Sequence, residues 1–268
     1  LGATNYLPSE EFGNLLARLY TGYQEKKEEI RSAGKTSAET SSDTPAATTR
    51  TIPGDSTLSE VMTVIMKLAD RVHGGYGTGQ KFIHHEANNF LLCLYEATKN
   101  TEYLDHVRLT LDRMRQGEIH DHEAGGYFRT CSNADWSRPH REKLLVEQAG
   151  LLTNCLYTLR ITQRHEYADM AEDIIDYLNR RLSNPENGAF YGCEDFLRVE
   201  SAEASSTEEF FSIIDACVYT DAGAQAIVAY LDAAELLGKF AYKERALQAL
   251  EFLWDQCRNP EGGIFHYF

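Results

Sequence analysis

This chain repeats itself. A helical pattern, a short break with a tyrosine, a second helical pattern and a Gly-aromatic turn occur three times in succession. The first unit runs from about Glu86 through Leu94-Tyr95, Tyr103 and Leu104 to Gly125-Gly126-Tyr127-Phe128. The second runs from about Arg141 through Leu156-Tyr157 and Tyr167 to Gly188-Ala189-Phe190-Tyr191, and the third from about Asp221 through Tyr230-Leu231 and Tyr242 to Gly262-Gly263-Ile264-Phe265. An earlier helical stretch closes on Gly74-Gly75-Tyr76-Gly77, like the second half of a preceding unit. Such self-similarity means stacked helical hairpins. A period of roughly 60 to 75 residues is too long for tetratricopeptide or HEAT repeats. It suits an all-α fold, an (α/α) toroid in which inner and outer helices alternate around an axis. The pattern supplies fewer helices than a six-hairpin barrel needs, so the toroid is expected to be incomplete. Its last hairpin would then need a cover, by self-association or by fold-back of the N-terminal helix.

The organisation before the repeats is simpler. Phe12, Leu15, Leu16, Leu19 and Tyr23 recur at spacings of three and four, which predicts a helix over residues 8 to 33. Residues 35 to 57 are dominated by Thr, Ser, Ala and Pro and read as a flexible linker. Thr57-Leu58-Ser59-Glu60 is a capping-box pattern that opens the next helix. Three segments result: residues 1–34, the linker at 35–57, and a hairpin domain over 58–268. The chain starts at Leu1 instead of Met and is expected to be a piece of something longer.

Charge and apolar patterning exclude several function classes. Forty-one Asp and Glu oppose 26 Lys and Arg, and a net charge of −15 repels phosphate backbones, so no nucleic-acid partner is expected. No apolar run approaches the roughly 20 residues of a membrane span, and no secretory signal pattern is visible. A cytoplasmic location without membrane contact is the expectation. The six cysteines form no C-x-x-C pair, which removes a thioredoxin-type redox site and a zinc knuckle.

If each unit goes up one helix and down the next, every Gly-aromatic turn falls at one rim. His73, His84, His85, His120, His122, His140 and His266 all lie in or beside those turns. Histidine gathered at one rim suits proton transfer; the plainer account is that turns are surface and collect polar residues. His120-Asp121-His122-Glu123 lacks a convergent metal-ligand spacing, so no metal is expected. Gly74 to Lys81 follows a helix and lacks the Gly-Lys-Ser/Thr ending of a phosphate loop. Asp135 to Lys143 is the stretch densest in reactive groups: Trp136, Arg138, His140 and Glu142 suit sugar stacking and proton transfer. The same stretch also reads as a helix N-terminus, with Pro139 in its first turn.

At these residues a family resemblance emerges. Gly117 to Arg129 resembles the G-G-I-Y-D-H-L-G-G-G-F-x-R motif of the YyaL-type family, which includes the spermatogenesis-associated, thioredoxin-like proteins. Trp136, Pro139, His140, Glu142 and Lys143 match its W-x-x-P-H-F-E-K-M-L-Y-D-N segment at unchanged spacing. Gly74-Gly75-Tyr76-Gly77 with Lys81-Phe82 resembles its G-G-F-G-x-A-P-K-F-P motif, and Gly2 to Pro8 a segment near the end of its thioredoxin-like domain. The resemblance implies a toroid akin to six-hairpin glycosidases and N-acylglucosamine 2-epimerases, following a thioredoxin-like domain that this chain would lack. Val146-Glu147-Gln148 replaces the family's Tyr-Asp-Asn, Asp195-Phe196-Leu197 its Asp-Ala-Asp, and Asp221-Ala222-Gly223 its Trp-Asn-Gly.

Two functional readings follow. In one, the rim is an epimerase- or glycosidase-like site for a sugar or sugar derivative, with no cofactor. His140 is then the acid or base, with Asp121 and Glu142 as carboxylate partners. Lys81, His122, Arg129, Trp136 and Asp195 would bind substrate. In the other, the eroded motifs mark a non-catalytic ligand-binding or regulatory module.

Overall fold

A computed structural model describes residues 9–27, 54–198 and 210–268. The chain divides into two compact units, Leu1–Leu58 and Ser59–Phe268. In the first, α1 spans Ser9–Glu25; the end of the predicted 8–33 helix and most of the 35–57 linker lie outside the described residues. Helix α2 spans Asp55–Leu68, starting earlier than the capping-box pattern suggests. The Thr57 and Leu58 N–H groups already bond to the Gly54 carbonyl, so the first turn closes ahead of Thr57.

Three hairpins then follow one plan. Helix α3 (His85–Thr98) leads to α4 (Thr101–Gln116), α5 (Leu145–Thr162) to α6 (His165–Arg181), and α7 (Thr220–Leu236) to α8 (Phe240–Gln256). Each connection contains one left-handed residue: Lys99 at φ 58°, Gln163 at φ 58° and Gly238 at φ 67°. Helices α3, α5 and α7 pack in sequence as an inner row, each backed by its own partner α4, α6 or α8. Helix α2 stands beside α4, where the Tyr103 hydroxyl meets the Met62 sulfur at 2.7 Å. The inner position of α5 follows from its sequence. Leu145, Ala149, Leu152 and Leu156 are buried on it, and so are Gln148, Gly150, Asn154 and Thr158. A helix buried nearly all round needs neighbours on every side.

The Gly-aromatic turns share one construction. A short antiparallel bridge joins the helix exit to the turn aromatic: Ala69 with Tyr76, His120 with Tyr127, and Ser183 with Phe190. An Asp or Asn side chain accepts backbone N–H groups inside each turn: Asp70 from Val72 and His73, Asp121 from Glu123 and Ala124, Asn184 from Glu186 and Asn187. In the first two turns the carboxylate also takes a buried ammonium, Lys81 on Asp70 at 2.8 Å and Lys143 on Asp121 at 2.7 Å. Where Asn stands, no such lysine is bound among the described residues.

Short strands connect each turn to the next inner helix, all at this rim. β1 (Lys81–Phe82), β2 (Thr130–Cys131) and β3 (Pro139–His140) form one antiparallel sheet; β4 (Glu142–Leu144), β5 (Cys193–Arg198) and β6 (Phe210–Asp215) form another. Pro139 to Leu144 therefore forms two short strands broken at Arg141, not the helix start its Pro and Glu suggest. Pairing of His140 with Thr130 and of Glu142 with Asp195 holds it extended, and the helix waits until Leu145. No described helix is long and apolar enough to cross a membrane.

Candidate functional site

The rim gathers polar side chains because every inner helix begins there. Each first turn carries an acid: Glu86 on α3, Glu147 on α5 and Asp221 on α7. Carboxylates are favoured at helix N-termini by the unpaired N–H groups and the helix dipole.

Between α5 and α7 lies an open concavity of about 420 Å³ whose wall includes Glu142, Val146, Asp215, Tyr219, Asp221 and His266. The Tyr219 hydroxyl donates to Asp215 Oδ2 at 3.1 Å, and its ring meets His266 edge-on at 6.1 Å. Glu142 is the hub. Its Oε2 accepts from Arg129 at 2.9 Å, lies 3.9 Å from His140 Nδ1, and its residue faces Asp195 across the β4–β5 ladder. The structure thus brings together Arg129, His140, Glu142 and Asp195, with His140 and Arg129 exposed.

A second cluster fills the gap between α3 and α5. The His85 ring packs against Gly150, where a Cβ would sit 2.2 Å away, and its Nε2 lies 3.4 Å from Glu86. Glu147 lies nearby with Oε2 buried and unpartnered. Burial, reinforced by Glu86 and opposed by Arg129, pushes the Glu147 carboxyl up to about 7. Burial likewise pulls the His85 imidazole below its usual value. A carboxyl poised near neutrality is suited to proton transfer. The Glu147 environment arises from the packing of α3 on α5, which no local pattern carries; the Asp at the matching family position is the only sequence signal.

Four expected site residues are placed elsewhere, each for a physical reason. Trp136 is fully buried, and its indole N–H donates to the His73 carbonyl at 2.7 Å, so its ring has no open face for a sugar. It fills a slot made by two glycines, since a Cβ on Gly75 or on Gly117 would come within 2.7 Å of it. Lys81, expected to bind substrate, is fully buried and donates to Asp70, Gly74 O and Gly77 O. Asp121 commits both oxygens to Lys143 and the turn N–H groups; burial opposes its ionisation, but the Ala124 N–H and the Lys143 ammonium hold its carboxyl low. Alternation along β4 puts Lys143, and hence Asp121, on the strand face opposite Glu142. His122 is exposed and packs on His120, whose Nε2 lies 3.0 Å from Asp173. Among the described residues no three His, Cys, Asp or Glu side chains converge as metal ligands.

No protein-family model matches the chain. Over 130 residues, 47% of its length, it is 33% identical to spermatogenesis-associated protein 20 of Mus musculus, a match spanning 16% of that protein. The Homo sapiens counterpart is 31% identical over 130 residues, again 16% of its length. The chain is homologous to these proteins and corresponds to a minor part of them. Its fold is similar to cellobiose 2-epimerase from Bacillus thermoamylovorans (TM-score 0.61, 15% identity, 78% of this chain and 57% of that one). It is equally similar to a family 76 glycoside hydrolase, a mannosidase, from Bacteroides thetaiotaomicron (TM-score 0.59, 16% identity, 75% and 53%). A D-mannose isomerase aligns at TM-score 0.59 with 12% identity, over 81% of this chain and 57% of that one. At such identities the likeness is one of fold, the toroid of stacked helical hairpins.

Proposed function

We propose that this chain, a homologue of spermatogenesis-associated protein 20 with the toroid fold of sugar epimerases and six-hairpin glycosidases, binds a sugar or sugar derivative at the α5–α7 rim. The observation that carries the reading is the concavity itself. Carboxylates Glu142, Asp215 and Asp221 share its wall with the rings of Tyr219 and His266, and its volume of about 420 Å³ suits a small saccharide. Carboxylates accept from sugar hydroxyls, and aromatic faces cover the apolar C–H face of a pyranose. In this reading Arg129 fixes the Glu142 carboxylate, and His140 exchanges a proton with the ligand. Epimerisation needs one such group beside a carbonyl; hydrolysis needs two facing carboxyls, for which Glu142 and Asp221 are the pair.

A non-catalytic binding module is the second reading, and one observation favours it. Lys81, Asp121, Trp136 and Lys143, the core of the family motif, all serve the turns and the packing. Their retention is accounted for by folding alone. A thermal-shift screen of monosaccharides and disaccharides, followed by proton NMR in deuterated water, separates the readings. Stabilisation lost in Glu142→Gln and Asp221→Asn supports the site; deuterium gained at a sugar carbon, or bond cleavage, supports catalysis. No stabilisation by any sugar would overturn the sugar-binding reading.

A further inference from the structure

The β4–β5–β6 sheet presents two different faces, because side chains alternate along a strand and directly paired residues share a side. Lys143, Glu194 and Ser212 belong to one face, and that face is packed. The Glu194 carboxylate accepts from the Tyr177 hydroxyl of α6 at 3.0 Å and from Arg181 Nε at 2.9 Å, and Ser212 Oγ accepts from Arg181 at 2.7 Å. Phe210 lies on the same side, where the Arg141 guanidinium covers its ring at 4.6 Å.

The opposite face runs in three rows. Leu144, Cys193 and Asp215 form the first, Glu142, Asp195 and Ile213 the second, and Leu197 and Phe211 the third. The whole first row and Glu142 of the second belong to the wall of the α5–α7 concavity. Beyond them the face turns apolar. Leu197 is 42% exposed, Ile213 45% and Phe211 49%, all three neighbours on one surface. Single exposed apolar residues need no account, but contiguous ones mark a surface with a use. Successive rows are two residues apart, so Leu197 and Phe211 lie about 7 Å along the strands from Glu142. That is too far for the sugar ring held at Glu142 and near enough for a group attached to it. The polar rows carry Glu142, Asp195 and Asp215, with Asp221 of α7 on the same concavity, so an anionic ligand head would meet like charge.

We infer that the ligand of this concavity is a neutral glycoside with an apolar aglycone, its sugar on the carboxylate rows and its aglycone on Ile213, Leu197 and Phe211. The inference rests on the sugar-binding reading of the concavity and names the class of sugar derivative. One continuous face that passes from carboxylates to apolar side chains matches a molecule that is itself polar at one end and apolar at the other; a free sugar leaves the third row unused.

Isothermal titration calorimetry with methyl and octyl β-D-glucoside, and with methyl and octyl α-D-mannoside, all below micelle-forming concentrations, tests the inference. For whichever sugar binds, the octyl glycoside should bind at least about tenfold more tightly than its methyl counterpart. Phe211→Ser, at an exposed position where circular dichroism checks the fold, should erase that advantage. Asp221→Asn should weaken both probes. Methyl and octyl glycosides of equal affinity would overturn the inference and leave the sugar-binding reading standing, whereas binding of neither would overturn both. Octyl glycosides that bind Asp221→Asn as tightly as the wild type would show an apolar patch acting alone, which also overturns it. Octyl β-D-glucuronide, with the same tail on an anionic head, should bind more weakly than octyl β-D-glucoside; equal affinity would overturn the neutral head.

Discussion

Glu147 sits in the first turn of α5 with one carboxylate oxygen buried and unpartnered, and its acidity has a consequence for stability. Its folded-state value, about 7, is above the ordinary 4.5. The folded chain therefore keeps a proton that the unfolded chain has released. The stability this confers is fully present below the unfolded value and is lost as pH rises through about 7. Glu147→Gln removes that loss. By urea denaturation the variant should match the wild type near pH 4 and exceed it at pH 8, by up to about 3 kcal/mol. Equal stabilities at pH 8 would mean that Glu147 is solvated in the folded chain. Asp121 makes the opposite case among the acids. Asn184 performs its turn bonds in the third turn, so Asp121→Asn keeps those bonds and strands only the Lys143 ammonium. We expect a loss of about 3 kcal/mol, most of it regained in the double variant with Lys143→Met. An additive double variant would show that the two charges are not coupled.

The elements show how far the residue pattern could be read. Three hairpins, their breaks and the shared rim were legible, because the period-3.6 spacing of apolar residues and the Gly-aromatic turns record packing directly. The site was legible only in part. A motif residue that touches a ligand and one that pins a turn look alike in a sequence; Trp136 and Lys81 are buried and bond within the turns. Nor does a sequence reveal that Pro139–His140 and Glu142–Leu144 are strands, since their partners, Thr130 across a loop and Asp195 beyond a whole hairpin, are set by the tertiary fold. The glycines of the turns allow a direct test at this scale. Gly126→Ala meets both a left-handed backbone and the Tyr177 ring, whereas Gly263→Ala meets the left-handed backbone alone. In monomer conditions the first should cost about 3 kcal/mol or more and the second about 1, read as shifts in thermal midpoint. Similar shifts for the two would show that the second turn is not seated on α6.

At the scale of the molecule, the arc behaves as a stack in which each hairpin stabilises the next, so stability should not be uniform along it. Helix α5 touches α3, α6 and α7, and ten of its residues are buried; among the described residues α8 packs chiefly on α7 and buries three. Opening of α8 exposes little apolar surface, while opening of α5 dissolves the centre of the stack. Amide hydrogen exchange of dilute protein should therefore be slowest in α5, intermediate in α4 and α6, and fastest in α2 and α8. Uniform exchange along the chain would mean that it unfolds as a single unit instead of as a stack.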